Sequence, residues 1–250
     1  ELIKKAYEAG GLPFVRHTDA QTDYLVMKDI KEGQLEIMNE NELSFMKNMD
    51  CFISVRASDN IFESSIVPSE KMKLYSKIMK PAFDERVNNT RWCVLRYPNS
   101  SMAQLAGKPN DEFEAFYFDV CNLDYSKMSK AMDNLVELME KTDKVRLVGP
   151  GTDLIFSIKG VPAIKCDGEY NIPDGEVFTA PVKDSVNGTI SFNTPAMSEG
   201  EALENIKFSF TDGKITEATS SNTEKMNKKL DTDEGARFIG EFAIGVNPYI

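Results

Sequence analysis

An α/β fold class is predicted for this chain, with an α/β first half and a β-rich α+β second half, on three observations. Helix-like and strand-like periodicities alternate up to about residue 150, the pattern that sets helices between the strands of a sheet. Beyond that point short β-prone runs follow one another directly: LIFSIKG, PAIKC, EVFTA, TISFN, IKFSF and KITEATS. Asp212-Gly213 joins the last two, a strong hairpin signal. Two domains are expected, 1–149 and 150–250, with no internal repeat or low-complexity segment.

Composition bounds the function. The 250 residues are 41% hydrophobic and 28% charged, enough to bury a real core. A formal net charge of −11 leaves no basic field for phosphates, so nucleic acid and anionic membranes are disfavoured as partners. Cys51, Cys93, Cys121 and Cys166 are widely spaced with no CxxC pair. They are expected to be buried, inert, reduced thiols of a cytoplasmic protein. No apolar run reaches the length of a membrane span, and the first residues lack a signal-peptide layout. The chain opens at Glu1, without Met, inside a helical pattern (Leu2, Ile3, Ala6, Tyr7), so residues are expected upstream.

In chain order, residues 1–9 form a helix closed at Gly10-Gly11, and LPFVRH reads as a short strand ending at His17, a partly buried structural histidine. Helical spacing covers 18–30 and 34–48, and CFISVRA at 51–57 is a buried strand. A helix from Pro68 to Asn88 breaks at Pro81, and RWCVLRY at 91–97 is the next strand, with Arg91 and Arg96 in salt bridges at its edges. PNDEFEAFYFDVCN is a helix capped by Asn110 or Asp111, its Phe113, Phe116, Tyr117 and Phe118 in the core with Trp92. From Ser126 to Lys141, Met128, Met132, Leu135 and Leu138 or Met139 share one helix face as packing. KVRLV is a strand, and GPGTDL after it lacks a Lys-Ser/Thr step and a following helix, so it is no phosphate loop. Ser221 to Leu230 is helical, and Asp231, Thr232 or Asp233 caps a further helix starting near Glu234.

Two glutamates stand out. Pro173, Asp174 and Gly175 form a turn, Val177, Phe178 and Thr179 favour an extended backbone, and Pro181 ends the pairing, so Glu176 is held at the lip of a strand. Glu241 sits among Phe238, Ile239, Phe242 and Ala243, where a carboxylate needs a partner: a metal, or Arg237 four residues away. A pair of glutamates can hold divalent ions and leave positions where water is activated.

TDLIFSIKG, NIPDGEVFTAPVKDSVNG and LDTDEGARFIGEFAIGVNP stand in the order and spacing of the thermophilic-aminopeptidase metallopeptidases, the M29 family, which this chain resembles. The likeness extends more weakly back through KPAFDERVNNTRWCVLRYPNSSMAQLAG to Gly11. It implies a Rossmann-like N-terminal domain and a catalytic domain holding two divalent ions, of zinc, cobalt, manganese or magnesium. It also implies removal of N-terminal amino acids from peptides by a metal-activated water, in a homodimer. The glutamate of the GEVFTAP word, a family metal ligand, matches Glu176, and that of the GEFAIG word, a ligand and the water-activating base, matches Glu241. The resemblance assigns no ligand to Asp174, Asp184 or Asp233, which read as turn, surface and cap residues. The family's two histidines, aspartate and catalytic tyrosine lie in later words than any before Ile250. The chain is therefore expected to be an incomplete catalytic unit, inactive alone.

Two other readings compete. Lys183, Asp184 and Ser185 sit together as in a serine hydrolase, but no GxSxG elbow surrounds Ser185 and His17 is remote. A noncatalytic scaffold or binding module would keep the fold and lack the ions.

Overall fold

The computed structural model describes residues 1–60, 63, 67–198 and 201–249. They form two compact units, one of Glu1–Cys51 with Ser58–Arg91, the other of Phe52–Ala57 with Trp92–Ile250.

The first unit is helical: α1 (Leu2–Glu8), α2 (Ala20–Asp29), α3 (Glu32–Met46), α4 (Ser69–Ile78) and α5 (Lys80–Asn88). Asp19 caps α2, its carboxylate accepting from the Thr22 N–H at 2.8 Å. The helix expected from Pro68 to Asn88 divides at Met79, because Pro81 lacks an N–H and is accommodated in the first turn of α5. Leu35 and Met46 of α3 are fully buried, and Asn39 accepts from the Ala82 N–H of α5 at 3.2 Å. The strand expected at 12–17 does not form. Leu12 and Phe14 are 81% and 68% exposed, and no described strand pairs with them to satisfy their backbone. Arg16 instead bonds Glu42 at 2.7 Å and lies over the Phe45 ring, and His17 is exposed rather than partly buried.

In the second unit, β1 (Cys51–Arg56) and β2 (Arg91–Arg96) precede α6 (Ser100–Leu105), α7 (Asn110–Cys121) and α8 (Tyr125–Lys141). Strands then dominate: β3 (Lys144–Gly149), β4 (Thr152–Ser157), β5 (Ile164–Cys166), β6 (Asn171–Ile172), β7 (Glu176–Thr179), β8 (Asn187–Ser191), β9 (Ala196–Ser198) and β10 (Glu201–Leu203). β11 (Lys207–Thr211), β12 (Lys214–Thr219), α9 (Thr223–Leu230) and β13 (Phe242–Gly245) close it. The sheets run β1-β2-β6, β10-β9, β12-β11-β8-β4-β3 and β13-β7-β5. Pairings within the last two are antiparallel, and β2 pairs with β6 in parallel.

Several expectations shift in detail. Pro109 precedes α7, and Asn110 lies inside the helix, donating to the Ser100 hydroxyl rather than capping. Phe113 and Tyr117 are buried with Ala103, whereas Phe116 is exposed. On α8 the buried stripe is Met128, Met132 and Met139, and Leu138 faces out. Those methionines share one core with Leu154 and Phe156 of β4 and Val177 of β7. Each such side chain contributes about 1.5–3 kcal/mol on full burial. GPGTDL is the β3–β4 hairpin.

The β11–β12 hairpin turns on Asp212 (φ 46°) and Gly213 (φ 82°), two left-handed residues in succession, as a type I′ turn requires. A Cβ on Gly213 would stand 1.7 Å from the Lys183 carbonyl oxygen. Gly213→Ala is therefore expected to destabilise the fold by about 2–4 kcal/mol through strain and overpacking, read as a lowered urea midpoint at unchanged slope.

Candidate active site

Glu176 opens β7, and the burial of that strand alternates: Val177 and Thr179 are 0% and 2% exposed, Glu176 and Phe178 only half-buried. Opposed residues on neighbouring strands point to one face. Lys165 of β5 faces Val177, and its ammonium reaches Ser129 and Asp133 of α8 at 3.0 and 2.8 Å. α8 therefore covers the Val177 face. Thr179 shares it with its partner Phe242, whose ring meets Phe156 edge-on at 5.1 Å. The other face carries Glu176, Phe178, and their partners Cys166, Gly245 and Ala243. Glu241 directly precedes β13, and alternation along that strand sets it on the side of Ala243 and Gly245.

The electrostatics agree with that placement. Burial, then the charges of Glu241 and Asp174, push the Glu176 carboxyl up from the ordinary range. Cys166 is pushed up to about 11 by burial and by Asp174, Glu176, Glu241 and Asp167. Asp174 is itself raised, chiefly by burial, against the bonds it accepts from the N–H groups of Gly168 and Gly175. Among the described residues, neither the Glu176 nor the Glu241 carboxylate has a hydrogen-bond or ion-pair partner. Glu176 thus feels the charge of a second acid without a cation beside it. A cleft of about 300 Å³ is lined by Asp174, Gly175, Glu176, Gly245 and Asn247.

The alternative partner for Glu241 is ruled out. Arg237 donates to Asp231 at 2.8 Å and to Asn227 at 3.1 Å, so it is taken up within its own segment. No helix starts near Glu234. Asp233 accepts from the Gly235 and Ala236 N–H groups, which closes a turn, and the chain continues into β13. A cleft of about 350 Å³ lies there, lined by Lys214, Leu230, Asp231, Asp233, Glu234 and Arg237. Its arginine is already bonded, so the smaller cleft, lined by the unpaired Glu176, is the stronger candidate.

Other candidates resolve into structure. The Ser185 hydroxyl donates to the Val182 carbonyl at 2.7 Å and accepts from the Ser157 N–H at 2.9 Å, tying a loop to β4. Lys183 lies over the Phe238 ring, and Asp184 is exposed. All four thiols are free. Cys51 is exposed, contrary to the expected burial, and Cys93, Cys121 and Cys166 are half-buried. Burial raises those three, which keeps them protonated and poorly nucleophilic. Sequence reading missed Cys166 and Asn247 at the site; β5–β7 register sets Cys166 opposite Glu176, and a hydrogen bond across 73 residues brings Asn247 to the turn, and neither relation leaves a local signal.

Two carboxylates are oxygen donors of the kind a divalent cation takes. Among the described residues no group of three or more His, Cys, Asp and Glu is placed to hold a metal. Glu176 and Glu241 thus fit as part of such a donor set and do not complete one.

The structure is thus an α/β protein with two unpaired acids, one of which lines a cleft. The chain belongs to the thermophilic metalloprotease (M29) family, whose model matches residues 1–249. It is 37% identical to the aminopeptidase PepS of Streptococcus thermophilus, over 86% of this chain and 57% of that protein. It is 28% identical to aminopeptidase T of Thermus thermophilus, over 71% of this chain and 51% of that protein. The solved structure of wild-type AmpT from Thermus thermophilus superposes with a TM-score of 0.81 at 25% identity, covering 98% of this chain and 68% of that one. The mixed α/β fold is thus that of aminopeptidase T. The chain spans about half the length of these two curated relatives. Among the described residues no helix is long and apolar enough to cross a membrane.

The acid pair carries a consequence for stability. A carboxyl raised in the folded state binds its proton more tightly there than in the unfolded chain. Its stabilising contribution is present below the ordinary carboxylate pKa and is lost as pH rises through the elevated one. In metal-free protein, Glu176→Gln is expected to raise stability at pH about 8 and to leave it unchanged at pH about 3. Urea melts in chelator measure this, and a loss at the higher pH would show that Glu176 is paired.

Proposed function

We propose that the protein is a metal-dependent aminopeptidase that hydrolyses the N-terminal peptide bond of peptides, with Glu176 and Glu241 as metal ligands. The observation that carries the reading is the pair of mutually repelling carboxylates without a cationic partner, in a chain of the M29 family. The curated relatives' names, aminopeptidase PepS and aminopeptidase T, supply the substrate class. Two divalent ions, of zinc, cobalt, manganese or magnesium, belong to the same reading, with the donors beyond this pair coming from outside the described residues.

A bound divalent ion supplies Lewis acidity and lowers the pKa of a coordinated water. The chain's own residues do the rest. Glu176, at the end of a rigid strand, holds its oxygens with little freedom to lose. Glu241 receives a proton from the attacking water and returns it to the leaving amine, the work of a general base and then acid. The reading also includes a cytoplasmic homodimer, a Rossmann-like N-terminal part, and the division at residue 150. The parallel pairing of β2 with β6 is compatible with that N-terminal part, although β6 comes from residues 171–172.

A noncatalytic scaffold is the second reading, favoured by the lack of a three-donor group among the described residues. Activity separates the two. Full-length protein is expected to release the first residue of a short peptide, to stop in chelator, and to recover with added metal. Glu241→Gln is expected to lower kcat by at least about 100-fold. Cleavage that ignores chelator contradicts the mechanism, and a metal-free, inert full-length protein supports the scaffold. A polypeptide limited to residues 1–250 is expected to release no N-terminal residue in the same assay, since two carboxylates do not complete a catalytic donor set.

A further inference from the structure

The turn before Glu176 is fastened on three sides by groups that the proposed chemistry does not use. Asn247 is 7% exposed, and its side-chain amide donates to the Asp174 carbonyl at 2.9 Å and to the Val120 carbonyl of α7 at 3.4 Å. Its side-chain oxygen accepts from the Tyr249 N–H at 3.0 Å, so both its donating and its accepting atoms are engaged. The N–H groups of Val246 and Asn247 both donate to the Gly175 carbonyl, at 2.8 and 3.3 Å. Gly175 has φ +134°, and a Cβ there would stand 2.6 Å from the Asn247 Cβ, so the two residues are in direct register. On the far side the Asp174 N–H donates to the Tyr125 hydroxyl of α8 at 3.2 Å, and the Asp174 carboxylate accepts from Gly168 and Gly175.

This is more fastening than a surface turn needs. It ties the Asp174–Gly175 turn to α7, α8 and the segment that follows β13, the strand that Glu241 directly precedes. A buried amide that joins those segments fixes the distance between the two carboxylates, because the β7–β13 ladder alone restrains only the strands. We propose that Asn247 is a positioning residue: through the Asp174–Gly175 turn it sets where the Glu176 carboxylate stands relative to Glu241, and thereby sets divalent-cation affinity. This rests on the reading of those glutamates as metal ligands.

The test uses full-length protein, with zinc alone as the probe. Asn247→Ala is expected to speed amide hydrogen exchange of residues 171–179 in the metal-free protein by about tenfold, to leave 152–157 of β4 unchanged, and to weaken zinc binding by about tenfold in calorimetry. Tyr125→Phe removes only the hydroxyl that receives the Asp174 N–H, and about a threefold loss of zinc affinity is expected; it decides the matter if Asn247→Ala fails to fold. Exchange that rises equally in β4, or zinc affinity equal to the parent's in folded Asn247→Ala, overturns the inference and leaves the proposed function standing. Failure of the parent protein to bind zinc, cobalt, manganese and magnesium alike overturns both.

Discussion

Burial of one face of a three-stranded sheet decides which residues reach the site. Val177 and Thr179 are almost completely removed from solvent, on the side where Lys165 reaches α8 and Phe242 meets Phe156. Antiparallel pairing has period two, so holding Val177 inward forces Glu176 outward together with Cys166 and Gly245. A slip of one residue would bury a carboxylate and expose a valine, and both changes oppose folding. The apolar contacts that stabilise the second unit are thus the same contacts that aim the acid.

The outward face then gathers negative charge. Burial raises the proton affinity of Asp174, with the charge of Asp167 adding to it, and burial followed by the charges of Glu241 and Asp174 raises that of Glu176; the Cys166 thiol is pushed up to about 11 beside them. Folding into this arrangement costs free energy that a cation would return, since an ion bound only to the folded state adds its binding free energy to stability. Structural acids in the same unit behave differently. Asp153 and Asp231 each bond an arginine, which holds their carboxyls below the usual range. The contrast separates acids that serve the fold from the pair near the cleft.

Local chemistry made much of this legible in the sequence. Pro173-Asp174-Gly175 announced the turn before Glu176, Asp212-Gly213 the hairpin, and Pro81 the break between α4 and α5. Asp231, Thr232 or Asp233 was readable as a cap, but the helix expected after it does not form: Asp233 closes a turn, and the chain passes Gly240 into β13, which pairs with β7. LPFVRH has the composition of a strand and no described partner. Cys166 lies opposite Glu176, and Asn247 bonds a carbonyl 127 residues away, relations fixed by register rather than by neighbours in sequence. The two key glutamates were found through words that resemble a family, while their shared environment emerged only from the folded chain.

The central claim is that Glu176 and Glu241 face the same cation. Anomalous scattering from crystals of the full-length protein grown with zinc tests it most directly. The account predicts a peak with carboxylate oxygens of both residues at about 2.0–2.2 Å. A peak remote from either residue, or either carboxylate bonded to an arginine with no ion beside it, would contradict it.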